Sequence, residues 1–188
     1  MAAAPQDVVI DADVMRSAGA SDHPISSSSR EALNAIRAGG HRMVSSGPIR
    51  EEHKKHSGKF AKTWQASMYA RRQVVAWTYV ADQDLRNRLA QAFPPEATAQ
   101  RDAALKDTHL LEAATASGQR IVSRDFRAKT LFQSVCHALR QHGCQLWADL
   151  TVSPDGAIEW LKAGLPGKEE FRLCAAPSKK TKRQRKRG

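Results

Sequence analysis

The sequence predicts an α/β fold, a three-layer α/β/α sandwich around a central, mostly parallel sheet. Two observations lead to this prediction. Short apolar runs of strand length alternate with longer segments that have the apolar spacing of helices, an order typical of parallel sheets with crossover helices. Acidic residues follow several of these runs, at the edge where open α/β sheets bind ligands. A chain of 188 residues is long enough for one such domain.

The first elements are a strand and a helix. Residues 8–10 are predicted to form a buried strand that ends at Asp11. A helix is expected after the serine-rich segment, with Ser28 and Glu31 as a capping box at its start. The glycines at 39–40 are expected to end it.

The next segment contains a strand and three helices in the prediction. Residues 43–44 are expected to form the second strand, and Pro48 to begin a helix. Residues 59–80 are interpreted as a helix, followed by another that ends before the prolines at 94–95. Together, residues 59–95 are expected to form a helical insertion that caps one side of the site. Their apolar stripes are interpreted as core and not as a base-stacking platform: Phe60, Trp64 and Met68, then Leu85, Leu89 and Phe93.

In the last third of the chain, predicted helices and strands alternate again. Asp107 is expected to act as the N-cap of a helix that ends at Gly118. Residues 121–123 are expected to form the next strand, with Asp125 on the turn after it. The remaining predicted elements are a helix, a strand and a terminal helix, over residues 128–141, 144–147 and 158–161.

The net charge of +11 is concentrated at the C-terminus. Residues 171–188 hold eight of the 30 Lys and Arg residues and no acid, which leaves +3 for the rest. After a domain of residues 1–170, this run is expected to be a basic tail, disordered from about Pro177, because it cannot bury apolar surface. Its functional interpretation is contact with RNA or DNA phosphates, and the alternative is a solubilising tail.

Neither a transmembrane run nor a secretory signal is recognisable, so a cytoplasmic protein with no membrane partner is expected. His53 and His56 have ligand-like spacing, but no further pair completes a zinc site. The three cysteines fit neither a paired disulfide framework nor a zinc spacing, and they are expected to be reduced, partly buried thiols: Cys136, Cys144 and Cys174.

Four acidic residues occur where the predicted fold turns toward its active edge: Asp11, Glu52, Asp107 and Asp125. Carboxylates gathered there would repel one another by roughly 4 kcal/mol per close pair at an effective dielectric constant near 20. A divalent cation is the simplest way to stabilise such a cluster. Mg²⁺ and Mn²⁺ favour oxygen ligands and keep positions open for phosphate. The pattern therefore predicts a metal-dependent nuclease.

Four segments around these acids resemble, in order, the acidic motifs of PIN-domain nucleases, which include the VapC-type ribonuclease toxins of bacterial toxin–antitoxin pairs. The segments are VVIDADV, IREEH, KDTHLLEAA and IVSRDF, and the resemblance extends from about residue 7 to about residue 150. It implies that Asp11, Glu52, Asp107 and Asp125 are the metal-site carboxylates. Ser123 stands where the family often has a hydroxyl.

The chain departs from the family pattern at two places. Asp13 stands where many relatives carry Asn, so this second acid either joins the site or faces water. Glu51 is adjacent to Glu52, and either could be the ligand. Glu52 is preferred because the family pattern places the acid before an aromatic-type position, here His53.

The resemblance implies metal-dependent hydrolysis of RNA, with one or two Mg²⁺ or Mn²⁺ ions between Asp11, Asp107 and Asp125, and Glu52 completing the site or holding a metal-bound water. RNA, an antitoxin protein and a second copy of the chain are the implied partners. Arg124 is the leading candidate for a phosphate contact. The full set of expected substrate-binding residues is Arg124, Ser123, Asp13, Lys54, Lys55 and Arg127.

Two other functions remain open. A phosphatase resembling the haloacid-dehalogenase family is suggested by the strand followed by Asp-x-Asp at Asp11 and Asp13. That family places Thr or Val where this chain has Met15, and it has a further acid that the segment after Asp125 lacks. The other alternative is a non-catalytic nucleic-acid-binding module with the same fold.

Overall fold

The central sheet has five strands within residues 4–174, the part of the chain that the computed structural model describes. The strand order is β3-β2-β1-β4-β5, and each neighbouring pair is parallel. The strands are β1 (Asp7–Ile10), β2 (Arg42–Ser45), β3 (Val74–Ala76), β4 (Arg120–Ser123) and β5 (Leu146–Asp149).

Nine α-helices and two short 3-10 helices connect and cover these strands in residues 4–174. The α-helices are α1 (Ala12–Ser17), α2 (Pro24–Ala38), α3 (Gly47–His56), α4 (Lys59–Ala70), α5 (Gln83–Ala92), α6 (Thr98–Ala116), α7 (Phe126–Ser134), α8 (Cys136–Leu139) and α9 (Pro154–Lys162). The 3-10 helices are Arg140–Cys144 and Glu169–Phe171. No helix in this part of the chain has the length and apolar character needed to cross a membrane.

The core lies in two layers, one on each face of the sheet. Alternate strand residues point to opposite faces, so Val8 and Ile10 belong to one layer and Val9 to the other. The first layer contains buried residues of α1, α2, α4 and α9, and the second those of α3, α5, α6, α7 and α8. The predicted α/β fold with three layers is therefore confirmed.

The strand order reverses direction between β1 and β4. From β1 the chain builds outward through β2 and β3, then crosses to β4 and β5 on the other side. The turns after β1 and β4 meet at this point, where the Asp11 amide donates a 3.0 Å hydrogen bond to the Val122 carbonyl. A topological switch of this kind leaves a crevice at the carboxyl ends of the strands, which is the usual ligand site of open α/β sheets.

The prediction of a helical insertion over residues 59–95 is wrong. Helix α4 ends at Ala70, Arg72 adopts a positive φ of 58°, and β3 then pairs with β2. The Gln73 side chain holds this turn by donating to the Arg37 and His41 carbonyls at 3.1 and 3.2 Å. The strand has only three residues, at the sheet edge, so its apolar run is too short to be distinguished from a helix by periodicity.

Two predicted helix starts are also wrong. Helix α6 begins at Thr98, so Asp107 lies in its middle and is not an N-cap. Helix α2 begins at Pro24, with His23 at the N-cap position, and the proposed capping box of Ser28 and Glu31 lies inside the helix. In both cases the first turn of the helix is largely exposed. Its apolar pattern is therefore too weak to indicate where the helix begins.

The elements near the C-terminus are shifted from their predicted positions. Instead of one helix over residues 128–141, the chain forms α7, α8 and a 3-10 helix, with Arg140 at a positive φ of 50°. Strand β5 lies two residues later than predicted because Leu146, and not Cys144, pairs with Arg120. The terminal helix starts earlier than predicted, with proline in its first turn.

The domain continues at least to Cys174, beyond the boundary expected at residue 170. Phe171 stacks on Trp160 with ring centroids 4.7 Å apart, and Leu173 is buried. Cys174 forms a disulfide with Cys136, so the expectation of reduced thiols is wrong for these two, and Cys144 is an exposed free thiol. The basic tail expected from about Pro177 lies outside the described residues.

Candidate active site

One serine hydroxyl joins the two turns at the switch point. Ser123, the last residue of β4, is fully buried, and its Oγ donates a 2.6 Å hydrogen bond to Asp11 Oδ2. The same Oγ accepts a 2.8 Å hydrogen bond from the Asp125 amide. Ser123 therefore fixes Asp11, after β1, relative to Asp125, after β4.

Asp11 is a buried carboxylate with few donors around it. Its side chain caps α1 by accepting from the Asp13 amide at a long 3.5 Å, and only 7% of the residue is exposed. Burial raises its pKa from the ordinary 3.8 to about 6; Asp13 and Asp107 add to this rise, and the Ser123 hydrogen bond opposes it. The charged form of Asp11 is thus poorly compensated by its surroundings.

Asp125 is the N-cap of α7. Its Oδ1 accepts a 2.8 Å hydrogen bond from the Ala128 amide, which satisfies one of the free N–H groups at the helix start. The residue is only half-buried, so part of it remains accessible to solvent.

Asp107 reaches the same region from the middle of α6. Its side chain is 15% exposed, and Oδ1 lies 3.3 Å from the ammonium of Lys106. Burial raises the pKa of Asp107, the Lys106 charge lowers it, and the charge of Asp125 raises it further. Since Asp107 also raises the pKa of Asp11, Asp107 lies close enough to both Asp11 and Asp125 for their charges to interact.

Glu52 approaches from α3 and is paired with His109 of α6. The distance from Glu52 Oε2 to His109 Nε2 is 3.3 Å, but the two atoms are not aligned for a hydrogen bond. The contact with His109 lowers the pKa of Glu52. Burial lowers the pKa of His109, but Glu52, the Lys106 carbonyl and Asp107 outweigh it, so that this pKa is raised. The neighbouring Glu51 is exposed.

His53 supports the site from behind. Its Nε2 donates a 2.7 Å hydrogen bond to the Ile10 carbonyl, and its Nδ1 accepts one from the side-chain Nε2 of Gln65 at 3.0 Å. Burial lowers the pKa of His53, which favours the neutral tautomer that these two bonds require. Because Ile10 directly precedes Asp11, His53 ties α3 to the end of β1. From the sequence, His53 was considered as a marker for its neighbour Glu52 and, with His56, as a zinc ligand, but not as a support for Asp11.

The residues expected to bind substrate lie in different surroundings. Arg124 is half-buried, and its Nη1 donates to the hydroxyls of Ser28 and Ser29 at 3.0 and 3.2 Å. Asp13 forms a 2.8 Å salt bridge with Arg16. Three further residues have exposed side chains: Lys54, Lys55 and Arg127.

Asp149 was missed in the sequence, although it carries the same signal as Asp11. It ends β5 directly opposite Ser123 in the sheet register. Its Oδ1 accepts from the amides of Thr151 and Val152 at 2.7 and 3.2 Å, whereas its Oδ2 is buried with no partner among residues 4–174. The strand was predicted two residues too early, so Asp149 was not recognised as an acid at a strand end.

The donor set suits Mg²⁺ or Mn²⁺ in its chemistry, because it consists of carboxylate and hydroxyl oxygens. Its arrangement is not that of a formed metal centre: no three His, Cys, Asp or Glu side chains within residues 4–174 are placed to hold an ion. Two basic neighbours, Lys106 and His109, each contact one of the acids. The ammonium of Lys106 balances part of the charge of Asp107.

Comparison of the chain with protein-family models, curated proteins and solved structures finds no match. The resemblance to PIN-domain nucleases thus stays a prediction from four sequence segments.

Proposed function

We propose that the protein is a metal-dependent endoribonuclease of the PIN kind, which hydrolyses RNA phosphodiesters with Mg²⁺ or Mn²⁺ as its cofactor. The observation that carries this proposal is the state of Asp11. This buried carboxylate lies at the topological switch point, and its pKa is raised to about 6 by burial and by Asp13 and Asp107. A cation bound there would remove the electrostatic cost of ionising Asp11.

The proposed role of each carboxylate follows from its position near the switch point of the sheet. Asp11, Asp107 and Asp125 would hold the ion, and Glu52 would complete the set. A bound divalent ion would lower the pKa of a water molecule and offset charge on the scissile phosphate. Ser123 orients Asp11 and Asp125 through its hydroxyl.

Two basic residues at the site have a role in this proposal that the acids alone do not supply. The ammonium of Lys106 lies beside Asp107, and His109 lies beside Glu52, before the ion binds. Lys106 is 72% exposed, so its ammonium can leave Asp107 for a phosphate of the substrate. His109 is held by the Lys106 carbonyl through a 3.0 Å hydrogen bond from its Nδ1, and it stays beside Glu52.

RNA is the proposed substrate because the exposed cations near the site suit a polyanion: Lys54, Lys55 and Arg127. An antitoxin protein that binds and inhibits the enzyme, and a homodimer, are further proposals that rest on the family resemblance alone.

A non-catalytic RNA-binding module is the second candidate. The observation that favours it is the absence of a formed metal-ligand group in the described part of the chain. The phosphatase alternative loses support, because Asp13, the second acid of its Asp-x-Asp pattern, is engaged by Arg16.

The test is cleavage of end-labelled single-stranded and structured RNAs by the purified protein in Mn²⁺, Mg²⁺ or EDTA. Asp11→Asn should abolish metal-dependent cleavage while leaving the fold intact. Glu52→Gln should reduce the rate by about 10- to 100-fold. Its adjacent control, Glu51→Gln, removes the same charge from an exposed position and should leave the rate unchanged.

The two candidate functions give different results in this assay. Metal-dependent cutting that is lost in Asp11→Asn supports the nuclease. RNA that is bound but not cut under any condition supports the binding module. Full activity of Asp11→Asn would contradict the proposed site.

A further inference from the structure

A basic pocket of about 380 Å³ opens between α3 and α4, apart from the carboxylates. Its lining residues are Arg50, His53, Lys54, Lys62, Gln65 and Tyr69. Pockets of this size can take a small polar ligand or one unit of a larger one.

The two helices present these residues on facing sides. On α3, Arg50, His53 and Lys54 follow i, i+3, i+4 spacing, and on α4 the lining residues 62, 65 and 69 follow i, i+3, i+7 spacing. Such spacing places side chains on one face of a helix. Because only Ser57 and Gly58 separate the helices, the pocket is built from neighbouring segments of the chain.

The charge of the pocket is uncompensated. Three of its side chains, Arg50, Lys54 and Lys62, are exposed cations, and no acid lines the pocket. None of the salt bridges within residues 4–174 uses any of the three. Like charges that share a concave surface repel one another, and a bound anion relieves this repulsion.

The pocket also has an aromatic rim. Tyr69 is 53% exposed at the edge of the pocket, where its ring is open for a flat ligand to stack on it. Cations beside an exposed aromatic ring are the combination by which proteins bind unpaired nucleotides, with the phosphate on the cations and the base on the ring.

The back of the pocket is connected to the candidate active site. His53 lines the pocket, and its Nε2 donates to the carbonyl of Ile10, the residue before Asp11. Glu52, the adjacent residue on the same helix, faces His109. An RNA strand bound at the carboxylates can therefore extend along α3 to the pocket.

We propose that this pocket binds a nucleotide unit of the RNA substrate away from the cleaved bond, with its phosphate on Arg50, Lys54 and Lys62 and its unpaired base on Tyr69. This inference rests on RNA being the substrate in the proposed function, and it adds where a second part of that substrate binds.

The first arm of the test measures binding without cleavage. Fluorescence anisotropy of a labelled single-stranded RNA is recorded with the full-length Asp11→Asn protein in EDTA over a range of salt concentrations. In this background, the pair Lys54→Ala/Lys62→Ala should reduce the slope of log K against log salt by up to about 0.7, since the pocket cations hold one phosphate and each phosphate contact on a single strand contributes about 0.7.

A matched control pair carries the same change of charge. Lys59→Ala/Arg71→Ala removes two exposed cations from the ends of α4 that do not line the pocket. It should change the slope by much less than the pocket pair. Equal effects of the two pairs would overturn the proposal, because they would indicate a diffuse electrostatic attraction.

The second arm separates a nucleotide from a plain anion. Tyr69→Ala should weaken RNA binding by about tenfold and leave the binding of inorganic polyphosphate unchanged. An equal loss for both ligands, or a loss for neither, would overturn the contact between the base and Tyr69.

The outcome is distinguishable from that of the nuclease proposal, because neither arm needs metal or turnover. A pocket effect without any RNA cleavage by the wild type would support the pocket and contradict the nuclease. Cleavage of RNA by the wild type, together with equal effects of the pocket pair and the control pair on the salt slope, would support the nuclease and contradict the pocket. RNA that fails to bind the Asp11→Asn protein would overturn the pocket.

Discussion

Glu112 and Asp11 are both buried carboxylates, but their surroundings are opposite. The Glu112 side chain is 1% exposed and accepts four hydrogen bonds of 2.8–2.9 Å. The donors are the Tyr79 hydroxyl, the Asp82 amide and, twice, the guanidinium of Arg86. Asp11 has one short hydrogen bond from Ser123 and one long one, and its charged neighbours include two acids.

The difference separates a carboxylate with a structural role from the carboxylate that we propose as a metal ligand. Glu112 ties the segment between β3 and α5 to α6, and it has its own counter-charge, so nothing needs to bind there. The carboxylate also raises the pKa of Arg86 through their hydrogen bond. Asp11 lacks such a partner and is less stable as an anion, which is the condition that a cation would relieve.

The largest expected effect is on the structural side of the comparison. Glu112→Gln removes the charge that balances Arg86 and should lower the free energy of unfolding by about 3–5 kcal/mol, as for other broken buried ion pairs. Urea denaturation would measure this loss, with the exposed Glu96→Gln as control. A loss no larger than that of the control would contradict the structural role.

At Asp11, removal of the charge is expected to raise the free energy of unfolding and not to lower it. Its pKa is 3.8 when unfolded and about 6 when folded, so the folded state binds a proton more tightly. The resulting penalty is absent below pH 4, grows as the pH rises to 6 and then stays constant, at about 3 kcal/mol.

Asp11→Asn should therefore raise the free energy of unfolding in EDTA by up to this amount at pH 8, and by little at pH 4. Denaturation of both proteins at the two pH values would measure it. A variant that is less stable than the wild type at pH 8 would show that the Asp11 charge is already well compensated.

Bound metal should reverse the penalty in the wild type. At a concentration of 100 times the dissociation constant, Mn²⁺ should add about 2.7 kcal/mol to the free energy of unfolding. The increment should disappear in Asp11→Asn and persist in Glu112→Gln, which a thermal-shift series with and without EDTA would show. The same increment in all three proteins would place the bound ion elsewhere.

The smallest expected effect is that of removing the Ser123 hydroxyl, which joins the turns after β1 and β4. Ser123→Ala removes the donor to Asp11 and should lower the free energy of unfolding at pH 8 by about 1.5–3 kcal/mol, the value of a hydrogen bond to a charged group. The pKa of Asp11 should rise above 6, because the bond that lowers it is lost. NMR titration of the Asp11 carboxyl carbon would measure this shift, and an unchanged pKa would contradict the bond's role.

The sequence revealed the part of the site that depends on local order. Asp11 and Asp125 follow apolar strands, so their place at the carboxyl edge could be inferred from the strand pattern. Glu52 faces His109 and its neighbour Glu51 is exposed, and the choice of Glu52 as the ligand stays a prediction from the family pattern. Asp107 was expected near the site, but as a helix cap and not inside a helix.

The remaining features depend on contacts between distant segments, which no local pattern encodes. Glu112 meets Arg86 from 26 residues away. The edge strand β3 is defined by its pairing with β2, and the disulfide joins cysteines that are 38 residues apart. The cation Lys106 was overlooked because its importance comes from its contact with Asp107 at the folded edge of the sheet.

Direct counting of bound Mn²⁺ tests the central claim, that Asp11 is left uncompensated for a cation. The electron paramagnetic resonance signal of free Mn²⁺ would be titrated with the wild type, Asp11→Asn and Glu112→Gln. We expect one or two ions bound by the wild type and by Glu112→Gln, and a loss of this binding in Asp11→Asn. No Mn²⁺ bound by the wild type, or undiminished binding by Asp11→Asn, would contradict the account.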